Sequence, residues 1–147
     1  MKRLLAIVAL VIPLQLSSIV FPLPPPSQID VECLAENVYH EARGEPYLGQ
    51  LAVATVTLNR ARVDRFPKDV CALVYSKKQF SWTNKKRKKL HADDISREIA
   101  TKALMGNHEL STFTATHYHN TKVKPKWAKK MIRISKIGNH IFYKETV

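Results

Sequence analysis

Between Asp30 and Arg43 the apolar residues Val31, Leu34, Ala35, Val38, Tyr39 and Ala42 recur at i, i+3, i+4 and i+7, the spacing of one buried helix face. Asp30 is the expected N-cap, and Gly44 the expected C′ residue that ends the helix. Pro46 is expected in the first turn of a second helix over residues 46–63. That helix carries Leu51, Ala52, Val53, Ala54, Val56 and Leu58 and is apolar nearly all round, so it is predicted to be central and packed on several sides. A short third helix is read over 65–76, with Val70, Leu73 and Val74 inward. A fourth is read over 93–106, capped by Asp93 or Asp94 and stopped by Gly106. "KQFSWT" (78–83) has no helical stripe. Residues 112–120 have the β-branched and aromatic content of an extended segment, and "PKWAKKM" gives a turn or two of helix. "RISKIGNHIFYK" reads as a hairpin closed at Gly138 and Asn139. The predicted class is mainly α (α+β), with a small β element between about residues 112 and 143.

The 147 residues make one domain's worth of chain, preceded by a different kind of segment. "MKR" gives a positive start, Leu4 to Leu16 is an apolar run of signal-peptide length, and Ser17 and Ser18 lead into "FPLPPPSQ". Residues 1–20 are therefore expected to be a signal peptide or an N-terminal anchor, 21–29 a stiff Pro-rich linker, and 30–147 the folded domain. Export to the periplasm or cell envelope follows, with anchoring to the inner membrane if the leader is not cut. The two cysteines, Cys33 and Cys71, are expected to form a disulfide in an exported chain; in a cytosolic one they would be two small core residues. The formal net charge of +12 draws the chain toward a polyanion: nucleic acid, anionic lipid or an acidic wall polymer. Charge sign alone does not choose among them.

Glu41 lies at the border of the first helix's apolar stripe, near the helix end. Desolvation and the negative end of the helix dipole both disfavour its charged form, which is how a general acid is made. Arg43 would act in the opposite sense if its side chain pointed the same way. His117 and His119 are two apart, so in a strand they share a face, and with His40 or Glu41 they could complete a hydrolytic zinc site. That spacing is weakly specific, and no H-E-x-x-H is present. The basic runs "KKRKK" and "KPKWAKK" include one tryptophan, but no nucleic-acid fingerprint accompanies them, and a solvated basic loop is the simpler reading. Nucleophile-elbow, P-loop and dinucleotide motifs are absent from the sequence.

"CLAENVYHEARGEPYLGQLAVATVTLNRARVDRFPKDVCALVY", then "QFSWT", "ATHYHN", "KPKWAKK" and "KIGNHIFYK", together resemble the SleB-type cell wall hydrolase family, in order from about residue 32 to 144. The resemblance implies a lysozyme-like, lytic-transglycosylase-like fold for the domain at 30–147 and an endo-acting glycosidase whose partner is the glycan strand of peptidoglycan. It implies no cofactor, no metal and no nucleic acid; a monomer is expected. The glutamate of "EARGE", here Glu41, would be the general acid of cleavage between N-acetylmuramic acid and N-acetylglucosamine. Gln79, Phe80, Ser81, Trp82, Tyr118 and Asn120 would line the glycan groove, with Trp127 a further sugar-stacking candidate. This chain departs from the family by placing lysines where relatives carry extra cysteines near "QFSW", and by the strongly basic insert "NKKRKKLH". A hydrolase needs a second carboxylate across the bond, for which Glu45 is the candidate, its simpler role being to face the second helix's N-terminus. One carboxyl alone suits a transglycosylase, because the nucleophile is then the sugar's own C6 hydroxyl. The alternatives are a zinc-dependent wall amidase or peptidase using His117 and His119, and a non-catalytic basic wall-binding module.

Overall fold

The computed structural model describes residues 24–84 and 92–146; the expected leader and most of the basic insert lie outside them. Among the described residues four helices are followed by a small sheet: α1 Gln28–Ala42, α2 Tyr47–Ala61, α3 Val70–Val74 and α4 Asp94–Met105, then β1 His117–Asn120, β2 Met131–Ile137 and β3 His140–Glu145. Single 3₁₀ turns at Ser81–Asn84 and Lys126–Lys130 complete it. The expected mainly α fold with a small β element is the one observed.

Several boundaries move for local reasons. Helix α1 begins at Gln28 with Ser27 as N-cap, so Asp30 sits in the first turn, where its charge still favours the dipole, and the last two residues of the expected linker are helical. Pro46 is the N-cap of α2 and not within its first turn. The third helix shrinks to five residues because Asp69, accepting from the Ala72 N–H, starts it only after Pro67. Asp93 caps α4 by accepting from the Ser96 N–H, and Gly106, the expected stop, ends it at φ 72°, in the left-handed conformation that suits a glycine.

Helix α2 is the central element. From Gly49 to Thr57 every residue is buried, as a helix without a polar face requires. One side packs through Leu51 and Ala54 against Leu34 and Val38 of α1, Val74 of α3 and Ile99 of α4. The other packs through Ala52, Val53 and Val56 against Ala115 and Phe142, which joins the sheet to the helices. Cys33 and Cys71 form a disulfide between α1 and α3.

The sheet is antiparallel, ordered β1-β3-β2, with an irregularity between Arg133 and Ser135. Its hairpin turn is tied to the helices by Glu45, whose two carboxylate oxygens accept from the Asn139 backbone N–H (2.7 Å) and side-chain amide (3.2 Å). Gly138 in that turn has φ 55°, and a Cβ there would lie 2.1 Å from Glu45 Oε2, so both the conformation and the close approach require glycine.

Candidate active site

Glu41 lies in the last turn of α1, where the helix end meets β1. Its Oε2 accepts a hydrogen bond of 2.8 Å from the Tyr118 hydroxyl. Burial raises the Glu41 pKa above 4.5, opposed by the Tyr118 bond and then by the charge of Arg60. Tyr118 is itself held well above the ordinary tyrosine value, by burial first and then by Glu41's charge, so it remains a neutral donor. A carboxylic acid accepts through its carbonyl oxygen, so when Glu41 is protonated the Tyr118 bond to Oε2 leaves Oε1 to carry the proton.

The positioning of Tyr118 starts in α2. Near the end of that apolar helix stand two buried polar residues, Asn59 and Arg60. Asn59 Nδ2 donates to the carbonyls of Phe113 (2.6 Å) and Ala115 (3.0 Å), and Arg60 Nε donates to the carbonyl of Thr116 (2.8 Å). These bonds fix the extended chain just before β1 and so set Tyr118 opposite Glu41. The Tyr118 ring is packed against Phe142 and His140 (centroids 5.7 and 5.1 Å). Burial lowers the Arg60 pKa while Tyr118 and Glu41 oppose the shift, and a guanidinium stays charged in such a setting. Arg60, not Arg43, is thus the cation that acts on Glu41; the Arg43 guanidinium lies over the Tyr39 ring at 4.9 Å.

The remaining residues read from the sequence fall into three places. Trp82 stacks on His40, next to Glu41, at 4.4 Å and donates Nε1–H to Asn37 Oδ1 (3.1 Å), while Asn37 donates to Thr57 Oγ1 (3.1 Å). Phe80 of the same segment is buried under the Arg60 guanidinium at 5.4 Å, while Gln79 is partly buried and Ser81 exposed. Asn120 ends β1, its Oδ1 accepting from the Lys122 N–H (2.9 Å). Trp127 lies elsewhere, its ring 5.5 Å from those of His117 and Tyr143 and 5.6 Å from that of His119. Strand alternation puts this cluster on the face opposite Tyr118 and Glu41.

That alternation also bears on the zinc reading. Among the described residues no three His, Cys, Asp or Glu side chains converge as a metal site needs. His119 has both nitrogens engaged, with the Asn120 carbonyl at 2.8 Å and the Tyr143 hydroxyl at 2.9 Å. His117 pairs with Thr116, and burial lowers its pKa. Sequence reasoning passed over Arg60, Asn59 and Asn37. The available signal was polar residues on otherwise apolar helical surfaces, which must find partners once buried.

A mainly α domain whose helix end presents a partly buried glutamate, its pKa raised by burial, to a three-stranded sheet offers a candidate general-acid site. The sequence model of the family described as Cell Wall Hydrolase matches residues 44–143, and the chain belongs to that family. The match begins just after Glu41. The chain is 36% identical over 119 residues to a spore cortex-lytic enzyme of Bacillus cereus, covering 80% of this chain and 45% of that protein. It is 35% identical over 118 residues to that of Bacillus subtilis, covering 79% and 38%. It therefore spans less than half the length of these curated relatives. Among solved structures it resembles the catalytic domain of the germination-specific lytic transglycosylase SleB from Bacillus anthracis, with a TM-score of 0.71 and 36% identity over 81% of this chain and 97% of that one. The catalytic domain of the Bacillus cereus SleB protein gives 0.72 and 35%, over 84% and 94%.

Proposed function

We propose that this protein is a peptidoglycan glycosidase that cleaves between N-acetylmuramic acid and N-acetylglucosamine as a lytic transglycosylase, with Glu41 as acid and then base. The observation that carries the reading is a partly buried Glu41 whose pKa is raised by burial, together with a Glu45 whose carboxylate is engaged by the hairpin turn. The near-complete overlap with the solved SleB catalytic domains supports it.

In the first step Glu41 Oε1–H protonates the glycosidic oxygen, the bond from that oxygen to the muramyl C1 breaks, and positive charge develops at C1. The carboxylate left behind is stabilised by the Tyr118 hydroxyl and by Arg60, which lets a buried acid give up its proton. In the second step that carboxylate takes the proton of the muramyl C6 hydroxyl as its oxygen bonds to C1. A 1,6-anhydro end results and Glu41 is protonated again, with no water consumed. Trp82, stacked on His40, the residue before Glu41 in the chain, is the candidate for stacking against a sugar ring. Gln79, Ser81 and Asn120 are the further groove candidates, and buried Phe80 acts by supporting Arg60. The wall substrate implies work outside the cytoplasm, reached through the leader at residues 1–20, as a monomer.

Mass spectrometry of the sugar ends released from purified peptidoglycan tests this. Anhydromuramic ends from the wild type, and none from Glu41→Gln, are expected. Reducing ends would mean hydrolysis and return Glu45 to consideration; free peptides with intact glycan would overturn the glycosidase reading.

A further inference from the structure

The cations of the described chain are unevenly distributed. In the helical part Arg65, Lys68, Arg97 and Lys102 each hold an ion pair, with Glu145, Asp64, Glu32 and Glu109, while Arg43, Arg60, Arg62, Lys77 and Lys78 are spread along the chain without one among the described residues. Between Glu109 and Glu145, by contrast, the sequence contains eight Lys and Arg and no Asp or Glu. All eight, from Lys122 to Lys144, are exposed. None of them takes part in an ion pair among the described residues. They stand on the turn after β1, on the 3₁₀ turn Lys126–Lys130, on edge strand β2 and at the end of β3.

The sheet register gives this charge a shape. Arg133 is opposite Tyr143, which is opposite His117; Lys136 is opposite Ile141, which is opposite His119. Residues directly opposite share a face, so Arg133 and Lys136 flank the Trp127, Tyr143, His117 and His119 cluster. This is the sheet face turned away from Tyr118 and Glu41. Clustered like charges destabilise a fold by self-repulsion, and an anionic polymer relieves that repulsion.

An aromatic cluster among cations favours a glycan strand over a bilayer as the partner, since its rings offer faces for sugars while the cations meet the carboxylates of the peptide stems. We infer that the outer face of the sheet, centred on Trp127, Arg133 and Lys136, is a second wall-binding surface that holds the protein on peptidoglycan through the carboxylates of its peptide stems. The identity of the polymer rests on the proposed function; the surface itself does not depend on catalysis.

The test measures co-sedimentation of the full chain with purified sacculi, in a Glu41→Gln background so that the polymer stays intact. Two triple variants of equal net charge are compared: Lys129→Gln, Arg133→Gln and Lys136→Gln on the sheet, and Lys68→Gln, Lys77→Gln and Lys78→Gln on the helical side. At about 0.1 M salt the sheet variant should bind roughly tenfold more weakly and the helical one within about twofold of the parent. Amidating the carboxyl groups of the sacculi should erase the difference. Both variants should melt close to the parent, since the sheet cations hold no ion pair among the described residues and the Lys68–Asp64 pair is exposed and contributes little. Equal losses in the two variants would mean net charge alone is at work and overturn the inference. Unchanged binding by the sheet variant, or a difference that persists on amidated sacculi, would do so too. A difference seen on anionic lipid vesicles but not on sacculi would give the surface to a membrane instead. Should the sugar-end analysis fail while sheet-dependent binding holds, only the catalytic reading falls.

Discussion

Tyr118→Phe isolates one interaction at the candidate acid. The hydroxyl donates to Glu41 Oε2 at 2.8 Å, and the ring is held independently by Phe142 and His140, so the variant removes one donor from an otherwise intact wall. A hydrogen bond to a charged group contributes about 1.5–3 kcal/mol. The bond is stronger to the carboxylate than to the acid, so its loss falls on the step in which Glu41 gives up its proton. At about 1.4 kcal/mol per tenfold, kcat should fall roughly 10- to 150-fold. The pH profile must move in a set direction. Tyr118 holds the Glu41 pKa down against burial, so its removal lets that pKa rise further. Activity that needs protonated Glu41 should then persist to higher pH in the variant, even as its maximum drops. The assay is release of soluble fragments from purified peptidoglycan between about pH 4 and 9. A rate within twofold of wild type together with an unmoved alkaline limb would refute the assigned role of Tyr118. A limb that moved to lower pH would contradict the electrostatic argument itself.

Glu41→Gln should be more heat-stable than the wild type at alkaline pH and equal to it at about pH 4. Above pH 4.5 the native chain keeps a proton that the unfolded chain has released, so wild-type stability falls as pH rises through the raised Glu41 value; thermal melts against pH check this. Glu45→Gln keeps an oxygen to accept from Asn139 and should retain activity within about tenfold, whereas a loss beyond ~10³-fold would make Glu45 a second catalytic carboxylate. Gly138→Ala should cost about 2–3 kcal/mol in denaturant unfolding, from a left-handed backbone and displacement of Glu45, and melting as stable as wild type would sink that account. Cys33→Ser with Cys71→Ser should lower stability by about 2–4 kcal/mol, since the bridge closes a loop with a sequence separation of 38 residues; an unchanged denaturant midpoint would contradict it.

The helices were legible because each writes its buried face into its own stretch. Helix α2 reads as central since no side of it tolerates water, Gly106 marks a helix end, and Gly138 with Asn139 marks the hairpin. Glu41 was legible too, as a carboxyl at the edge of an apolar stripe. What the sequence alone determined about this protein is therefore local: periodicity, caps, turns, the charge excess and the family signature around Glu41. The tertiary structure decided which distant groups act on that glutamate. Its donor, Tyr118, comes from 77 residues away and its cation is Arg60 instead of the nearer Arg43. It also turned Glu45 toward the Asn139 turn and put Trp127 on the far face of the sheet. Periodicity fixes which face of an element is buried, whereas the pairing of faces depends on how α1, α2 and the sheet cross, and that geometry is a property of the packed core as a whole.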